Sequence, residues 1–222
     1  MPNPLHFLVT AGPTREALDP VRFLSNRSSG TMGFAIAQAA AEAGHRVTLV
    51  AGPVALPTPA GVTRLDVVSA DDMFRAVHAV VADTAAPVAV AILSAAVADY
   101  RPVAAAAQKI KKQDDRLVVE FERTRDILGS LRLPLGFSGV LIGFAAETEN
   151  LLAHARGKLE RKGCDLIVAN DVSQPGIGFD TADNEVTFVL PGGLTRSLPR
   201  GPKLDIARQL VQVAEQLHSA RS

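Results

Sequence analysis

The architecture is set by the segment His6-Phe7-Leu8-Val9-Thr10-Ala11-Gly12-Pro13-Thr14, where a short apolar run stops at a Gly-Pro pair. The run predicts a buried β-strand over residues 6–10, followed by a turn. Residues 31–43, rich in Ala, Ile and Gln, predict a helix that ends at Gly44, and residues 46–50 predict a second strand. This part of the chain therefore predicts a strand, a helix and a strand in succession.

The same alternation continues along the rest of the chain. Ser69 and the aspartates that follow Ala70 form a cap for a helix predicted to run to about Asp83. Further strands are predicted at residues 88–94, 139–145 and 166–169, and further helices at residues 149–162 and 202–217. The alternation predicts an α/β fold with a Rossmann-like, doubly wound, mostly parallel sheet and helices on both faces. We expect one domain over residues 1–222.

Two regions depart from this alternation. Residues 104–116 are rich first in Ala and then in Lys and Asp, without a helical or strand period, and predict a mobile, Lys-rich flap. Residues 185–200 contain two short strand-like runs around Pro191-Gly192-Gly193 and predict a β-hairpin that extends the sheet.

Composition and net charge limit the ligands, partners and cellular location that we expect. The chain has 222 residues and a formal net charge of zero, so we expect neither nucleic acid nor a membrane as a partner, and any anion site must be built locally. Cys164 is the single cysteine, which excludes an internal disulfide and fits a cytoplasmic location. We predict no signal peptide, no membrane span and, from the scattered histidines, no zinc site. Cys164 is interpreted as a packed residue.

Two early segments are candidates for phosphate binding. The turn after the first strand and the segment Ser25-Asn26-Arg27-Ser28-Ser29-Gly30 both lie where doubly wound sheets bind ligands, and the second precedes a helix. Free N–H groups at a helix N-terminus suit phosphate, Ser28 and Ser29 add hydroxyls, and Gly30 permits close backbone approach. The alternative is a simple turn followed by a helix cap.

Two common nucleotide-binding classes lack their motifs here. A dinucleotide-dependent oxidoreductase would carry Gly-x-Gly-x-x-Gly after the first strand and an acidic residue after the second. The second strand instead ends in Val50-Ala51-Gly52, and no phosphate-binding loop of the Gly-x-x-x-x-Gly-Lys-Ser/Thr type is present. The oxidoreductase and a non-catalytic nucleotide- or flavin-binding module remain as alternative functions.

Later strand ends add further candidates. Ser94-Ala95-Ala96-Val97-Ala98-Asp99 combines small residues, which leave room for a flat base, with an acid suited to a ribose hydroxyl or a metal. Lys109-Ile110-Lys111-Lys112 suits a triphosphate, although a solvated loop has the same composition. Phe144 suits base stacking or the core, and Lys158 and Lys162 share one helix face that meets either phosphate or water.

In this order the motifs closely resemble phosphopantothenoylcysteine synthetases, specifically the bacterial CTP-dependent synthetase domain. The matching segments cover nearly the whole chain: Thr10–Glu16, Leu18–Arg22, Ser25-Asn26 followed by Ser28–Gly30, Ala95–Asp99, Lys109–Lys112, Gly143–Thr148 and Ala169–Val172. In that family the domain is usually the C-terminal half of a bifunctional protein whose other half is a flavin-dependent decarboxylase. The resemblance therefore implies a possible decarboxylase domain or partner, and no FMN is expected in this chain.

The resemblance implies a two-step ligation in coenzyme A biosynthesis. The carboxylate of 4′-phosphopantothenate attacks CTP, giving an acyl-cytidylate and pyrophosphate, and the amine of L-cysteine then displaces CMP. Asn26 and Lys109 match the residues tied to the chemistry, and Mg²⁺ is expected with CTP, with Asp99 as its candidate protein ligand. The family also forms homodimers that share an active site.

The remaining site residues follow from the same match. The phosphate and substrate loop would comprise Gly12, Ser28, Ser29, Gly30 and Ala96. The nucleotide would contact Leu93, Ser94, Ala95, Asp99, Lys109, Arg125, Asp126, Ile127, Leu128, Phe144, Lys158 and Lys162. Arg125 departs from the family, which usually has a proline at that position.

Overall fold

The fold is built around one large sheet, and the computed structural model describes residues 3–112, 116–147, 149–171 and 183–221. The strands are β1 His6–Ala11, β2 Arg15–Ala17, β3 Phe23–Ser25, β4 Arg46–Ala51, β5 Val62–Asp66, β6 Val90–Leu93, β7 Tyr100–Pro102, β8 Phe121–Arg123, β9 Val140–Glu147, β10 Leu166–Asp171, β11 Asp183–Val189 and β12 Thr195–Pro202. The α-helices are α1 Thr31–Glu42, α2 Ala70–Ala82, α3 Ile127–Arg132, α4 Leu151–Lys162 and α5 Lys203–Ser219.

Eight of these strands form the central sheet in the order β12-β11-β10-β9-β6-β1-β4-β5. The pairs from β10 through to β5 are parallel, whereas β11 and β12 are antiparallel and form the hairpin predicted at residues 185–200. From β1 the chain first builds the β4–β5 side and then returns to β6 on the other side. The order of strands therefore reverses between β1 and β6. This position is the switch point of the sheet, and doubly wound sheets bind ligands there.

Alternating side chains of the sheet supply two hydrophobic cores. Phe7 and Val9 face one core, where they meet α1 and α5, whereas Leu8 faces the other core, where the helix side chains come from α2, α3 and α4. This two-residue period follows from the strand geometry, in which successive side chains point to opposite faces. The predicted α/β, doubly wound, mostly parallel architecture is confirmed.

Helix boundaries follow from local chemistry. Ser69 caps α2 as predicted: its hydroxyl accepts a hydrogen bond from the N–H of Asp72 at 3.1 Å, while the Asp72 carboxylate accepts one from the N–H of Ser69 at 2.9 Å. Gly163 ends α4 with φ 61°, a left-handed conformation that favours glycine. None of the helices in the described ranges has the length and apolarity needed to cross a bilayer.

Several short elements were not predicted from the sequence. These are the paired strands β2–β3 and β7–β8, the edge strand β5 and the short helix α3. Four of these strands have three residues each, too few to display a hydrophobic period. The described part of the predicted flap, residues 104–112, contains neither helix nor strand, while residues 113–115 lie outside the described residues.

Gly33 allows α1 to approach the sheet closely. A Cβ atom at this position would lie 2.5 Å from the Ala11 Cβ, 2.8 Å from the Ser94 Oγ and 3.0 Å from the Thr10 carbonyl oxygen. Distances this short would force the helix away from β1 and β6. The first turn of α1 can therefore lie against the switch point only because residue 33 has no side chain.

We expect Gly33→Ala to lower the free energy of unfolding by about 1–3 kcal/mol, the usual cost of overpacking. The protein should lose stability even though alanine normally stabilises a helix by ~1 kcal/mol relative to glycine. Urea unfolding followed by circular dichroism measures the change. Gly157→Ala is the matched control, because a Cβ there would meet only the flexible end of Arg161 at 2.8 Å. Equal stability of the two variants would contradict the close-contact argument.

Candidate active site

A cavity of about 430 Å³ opens at the carboxyl ends of β1 and β6, at the switch point of the sheet. It brings together residues that the sequence suggested separately. The predicted residues that line it are Ser28, Ser29, Gly30, Leu93, Ser94, Ala95, Ala96, Asp99, Arg125, Asp126, Ile127, Leu128, Phe144, Lys158 and Lys162. Three predicted residues, Gly12, Asn26 and Lys109, are not among the lining residues.

The N-terminus of α1 forms one wall of the cavity. Gly30 precedes the helix with φ 77°, and no side chain caps the first turn by a hydrogen bond. Ser28 Oγ instead accepts from the Gly30 N–H at 3.3 Å, and the hydroxyls of Ser29 and Thr31 lie 3.0 Å apart. Backbone N–H groups at a helix start carry a partial positive charge, so this wall suits an anionic group such as phosphate.

Small residues after β6 form the floor. Ser94 Oγ donates to the Thr10 carbonyl at 2.6 Å, and the Ala95 N–H donates to Thr10 Oγ1 at 3.2 Å. Both bonds join the end of β6 to the end of β1 and hold the loop flat against the sheet. Thr10, the first residue of the candidate turn Thr10–Thr14 after the first strand, also lines the cavity.

The segment between β8 and α3 forms the opposite wall. The Asp126 carboxylate caps α3 by accepting from the Gly129 N–H at 3.1 Å, and it also pairs with Lys162. Arg125 turns its guanidinium toward α2, where it lies 3.2 Å from Asp71 Oδ1 and 4.7 Å from the centre of the Phe74 ring. The side chain at the family's usual proline position is therefore engaged with α2.

Basic side chains dominate the charge of the cavity. Among the residues that the structure describes, Arg125, Lys158, Lys162 and Lys203 line it, together with the carboxylates of Asp99 and Asp126. Positive charge is thus concentrated locally in a chain whose formal net charge is zero. Among the described residues no group of His, Cys, Asp or Glu forms a metal cluster, so Asp99 would need further ligands, such as phosphate oxygens, to hold Mg²⁺.

Lys203 is a lining residue that the sequence reasoning missed. It is 7% exposed, and its Nζ donates to Thr31 Oγ1 at 3.0 Å, at the first turn of α1. Lys203 is also the first residue of α5, where the helix dipole disfavours a cation. A lysine at the predicted start of a helix was therefore the available signal. Asn170 and Asn184 also line the cavity.

The three remaining predicted residues do not line the cavity. The Asn26 side-chain amide donates to the carbonyl oxygens of Ala96 and Val97, at 3.2 and 3.0 Å, and so supports two residues of the wall. Gly12 packs behind Gly30, since a Cβ at Gly30 would lie 3.3 Å from the Gly12 Cα. Lys109 is exposed in the described part of the flap.

Cys164 lies in the core between helices and sheet. It is 5% exposed and belongs to the hydrophobic cluster that includes Leu159 and Ile167. Burial raises the pKa of its thiol to about 12, with the positive charges of Lys158 and Arg132 acting weakly against the rise. The thiol is therefore neutral near pH 7, and the side chain is not a nucleophile.

A doubly wound sheet with a cavity lined by basic side chains at its switch point defines a Rossmann-like α/β domain. The family described as DNA/pantothenate metabolism flavoprotein, C-terminal domain, matches residues 3–217, and the chain belongs to this family. The coenzyme A biosynthesis bifunctional protein CoaBC of Vibrio vulnificus strain YJ016 is 45% identical over 97% of this chain and 54% of its own length. The same protein of Escherichia coli strain K12 is 50% identical over 81% of this chain and 44% of its own length.

A solved structure supports the same assignment. The crystal structure of the C-terminal domain of CoaBC superposes with a TM-score of 0.79 at 41% identity, covering 97% of this chain and 96% of that one. The resemblance found from the sequence is thereby confirmed. The chain spans about half the length of the curated relatives it matches.

We expect Cys164 to resist thiol reagents in the folded protein. At pH 8 the raised pKa keeps the thiol protonated, and burial blocks access, so labelling by Ellman's reagent should be slow. Labelling of the same chain in concentrated urea should be fast and provides the control. Rapid reaction under native conditions would show that the thiol is exposed or ionised.

Proposed function

We propose that the chain catalyses the CTP-dependent ligation of 4′-phosphopantothenate and L-cysteine, a step of coenzyme A biosynthesis. The observation that carries this proposal is the basic cavity at the β1–β6 switch point, bounded by the N-terminus of α1, in a member of this family. The three lysines that line it, Lys158, Lys162 and Lys203, complement the negative charge of a nucleoside triphosphate and a phosphorylated acid. We also propose a cytoplasmic location, which fits a single buried cysteine.

In the first half-reaction, the substrate carboxylate attacks the α-phosphate of CTP and pyrophosphate leaves. Lys158 and Lys162 on α4 are placed to neutralise phosphate charge, and the free N–H groups of α1 add to this attraction. Lys109 would stabilise the charge that builds on the phosphates during the attack. Mg²⁺, when bound with CTP, would neutralise further phosphate charge.

The nucleoside would lie between the two walls. Phe144 lines the cavity and offers a ring for stacking, while Asp99 offers a carboxylate to the ribose hydroxyls. The main chains of Leu93–Ala95 and Arg125–Leu128 run along the cavity, and we assign them to base recognition. Because the Arg125 guanidinium is engaged by α2, we assign only its backbone to the nucleotide.

In the second half-reaction, the cysteine amine attacks the acyl carbon and CMP leaves. Asn26 carries no charge, so its contribution is hydrogen bonding and orientation rather than proton transfer. Its amide holds the carbonyls of Ala96 and Val97, which line the cavity. We therefore propose that Asn26 shapes the wall against which the acyl-cytidylate is presented to the amine.

The active enzyme is proposed to be a homodimer with shared sites. Apolar side chains are exposed on the β2–β3 and β7–β8 hairpins, among them Phe23 at 47% and Phe121 at 40% exposure. Apolar groups clustered on a surface favour association. Lys109 does not line the cavity of its own chain, so we propose that it reaches the cavity of the second copy. The bifunctional relatives also suggest a decarboxylase domain or partner.

The alternative functions have less support in the structure. β4 ends at Ala51 and is followed by Gly52, so the acid that would hold the ribose of a dinucleotide is missing there. A non-catalytic binding module would have no need of Asn26 and Lys109, the two residues to which we assign the chemistry. We assign no FMN to this chain.

Pyrophosphate release tests the proposed reaction. With 4′-phosphopantothenate present, CTP should support release, while ATP, GTP and UTP should be at least ~10-fold poorer, because a site that hydrogen-bonds one base leaves polar groups unpaired with another. Omission of 4′-phosphopantothenate is the control and should abolish release. Release with ATP that equals or exceeds release with CTP would overturn the nucleotide assignment.

Complementation tests the shared site. Lys109→Gln and Lys158→Gln chains, co-expressed with different tags and purified as heterodimers, should regain about half of wild-type activity, since one of two symmetric sites is then intact. Each variant alone should be poorly active. The matched control joins Lys158→Gln with Lys162→Gln, which lie on the same helix and leave no site intact. A test pair as inactive as this control would place Lys109 in its own chain's site.

A further inference from the structure

Asp19 is a buried carboxylate that lies outside the cavity. It is 3% exposed and sits in the turn between β2 and β3. Its Oδ1 accepts hydrogen bonds from the N–H groups of Val21 and Arg22, both at 2.8 Å. Its Oδ2 accepts from Arg22 Nε at 3.0 Å, from Arg22 Nη2 at 2.7 Å and from the Ile110 N–H at 3.1 Å.

The contact with Ile110 crosses from the hairpin to the Lys-rich segment. The Nη2 atom of Arg22, which pairs with Asp19, also donates to the Ile110 carbonyl oxygen at 2.6 Å. The N–H of Ile110 is thus held by the carboxylate and its C=O by the guanidinium. Within residues 104–112, which form no helix or strand, both backbone groups of this residue are fixed by side chains.

A second contact holds the same segment on the other side of Lys109. The Ala106 N–H donates to the Leu18 carbonyl oxygen at 2.9 Å. The segment between β2 and β3 is therefore hydrogen-bonded to the chain both before and after Lys109. Asn26 follows β3 directly, so one hairpin supports both residues proposed to act in the chemistry.

The charge state of Asp19 suits this function. Burial raises the pKa of its carboxyl, but hydrogen bonds from the backbone of Ile110, Val21 and Arg22 and from the Arg22 side chain outweigh burial and hold the pKa well below its usual range. The carboxylate thus stays ionised at all pH values at which the protein would work. Its bonds to Arg22 are charge-assisted and correspondingly strong.

We propose that Asp19, through Arg22 and the Ile110 peptide, is a positioning residue that holds Lys109 in place for the reaction. The role assigned to Lys109 rests on the proposed function, whereas the anchoring does not. A cation stabilises a transition state best when it is already in position, because reorganisation then costs nothing during the reaction. An irregular segment would otherwise place Lys109 in many positions.

Asp19→Asn tests the anchoring directly. The substitution keeps the shape but removes the charge and places an amide among donors. Hydrogen exchange at the amides of Ala106 and Ile110, measured by mass spectrometry on the peptide over residues 104–112, should become faster. Asp66→Asn is the matched control, since Asp66 pairs with Arg64 at 2.7 Å on the exposed edge strand β5. Unchanged exchange in a folded Asp19→Asn chain would overturn the proposal.

Kinetic measurements test whether the anchoring positions Lys109 for the reaction. Asp19→Asn should lower kcat for acyl-cytidylate formation by about 10- to 100-fold, the scale for a misplaced group. KM for CTP should change less than about threefold, because the lysines of the cavity remain in place. In a Lys109→Gln background the same substitution should add little, since both changes act through one side chain. Equal losses in the two backgrounds would overturn the positioning role.

Two further measurements keep the outcomes separate. Circular dichroism establishes whether Asp19→Asn folds; if it does not, Arg22→Lys replaces it, because lysine keeps the charge but cannot bridge Asp19 and the Ile110 carbonyl as the guanidinium does. Slow exchange at residues 104–112 in a folded Arg22→Lys chain then overturns the anchoring. A wild-type chain that forms no acyl-cytidylate overturns the proposed function and the positioning role with it, while the exchange measurement still decides the anchoring.

Discussion

The close packing of α1 on the ends of β1 and β6 is the constraint on which the site depends. Gly33 permits it, because any side chain there would collide with Ala11, Ser94 and the Thr10 carbonyl. The packing brings the first turn of α1 to the switch point of the sheet, where Thr31, Met32 and Gly33 line the cavity. Ser94 and Thr10 then join β6 to β1 by hydrogen bonds, so the helix and both strands fix one shape for the cavity.

Much of this arrangement was predictable from the sequence. The long buried strands and the longer helices carry strong periodic signals, and residues that follow parallel strands necessarily meet at one edge of the sheet. That geometry alone brings Ser94, Asp99 and Phe144 together without knowledge of any contact. Family resemblance supplied the chemical roles, which periodicity does not contain. The grouping of these residues therefore followed from topology, whereas the roles proposed for them come from the combined motifs.

The elements that escaped prediction are held by tertiary contacts rather than by local pattern. β2 and β3 are short, and the turn between them is fixed by Asp19, whose partners include the distant Ile110. Lys203 reaches the cavity because α5 packs beside α1, a neighbourhood that no sequence period reveals. The amide of Asn26 likewise turns to the carbonyls of Ala96 and Val97, which only the folded chain brings near. Side-chain direction is decided by these long-range partners.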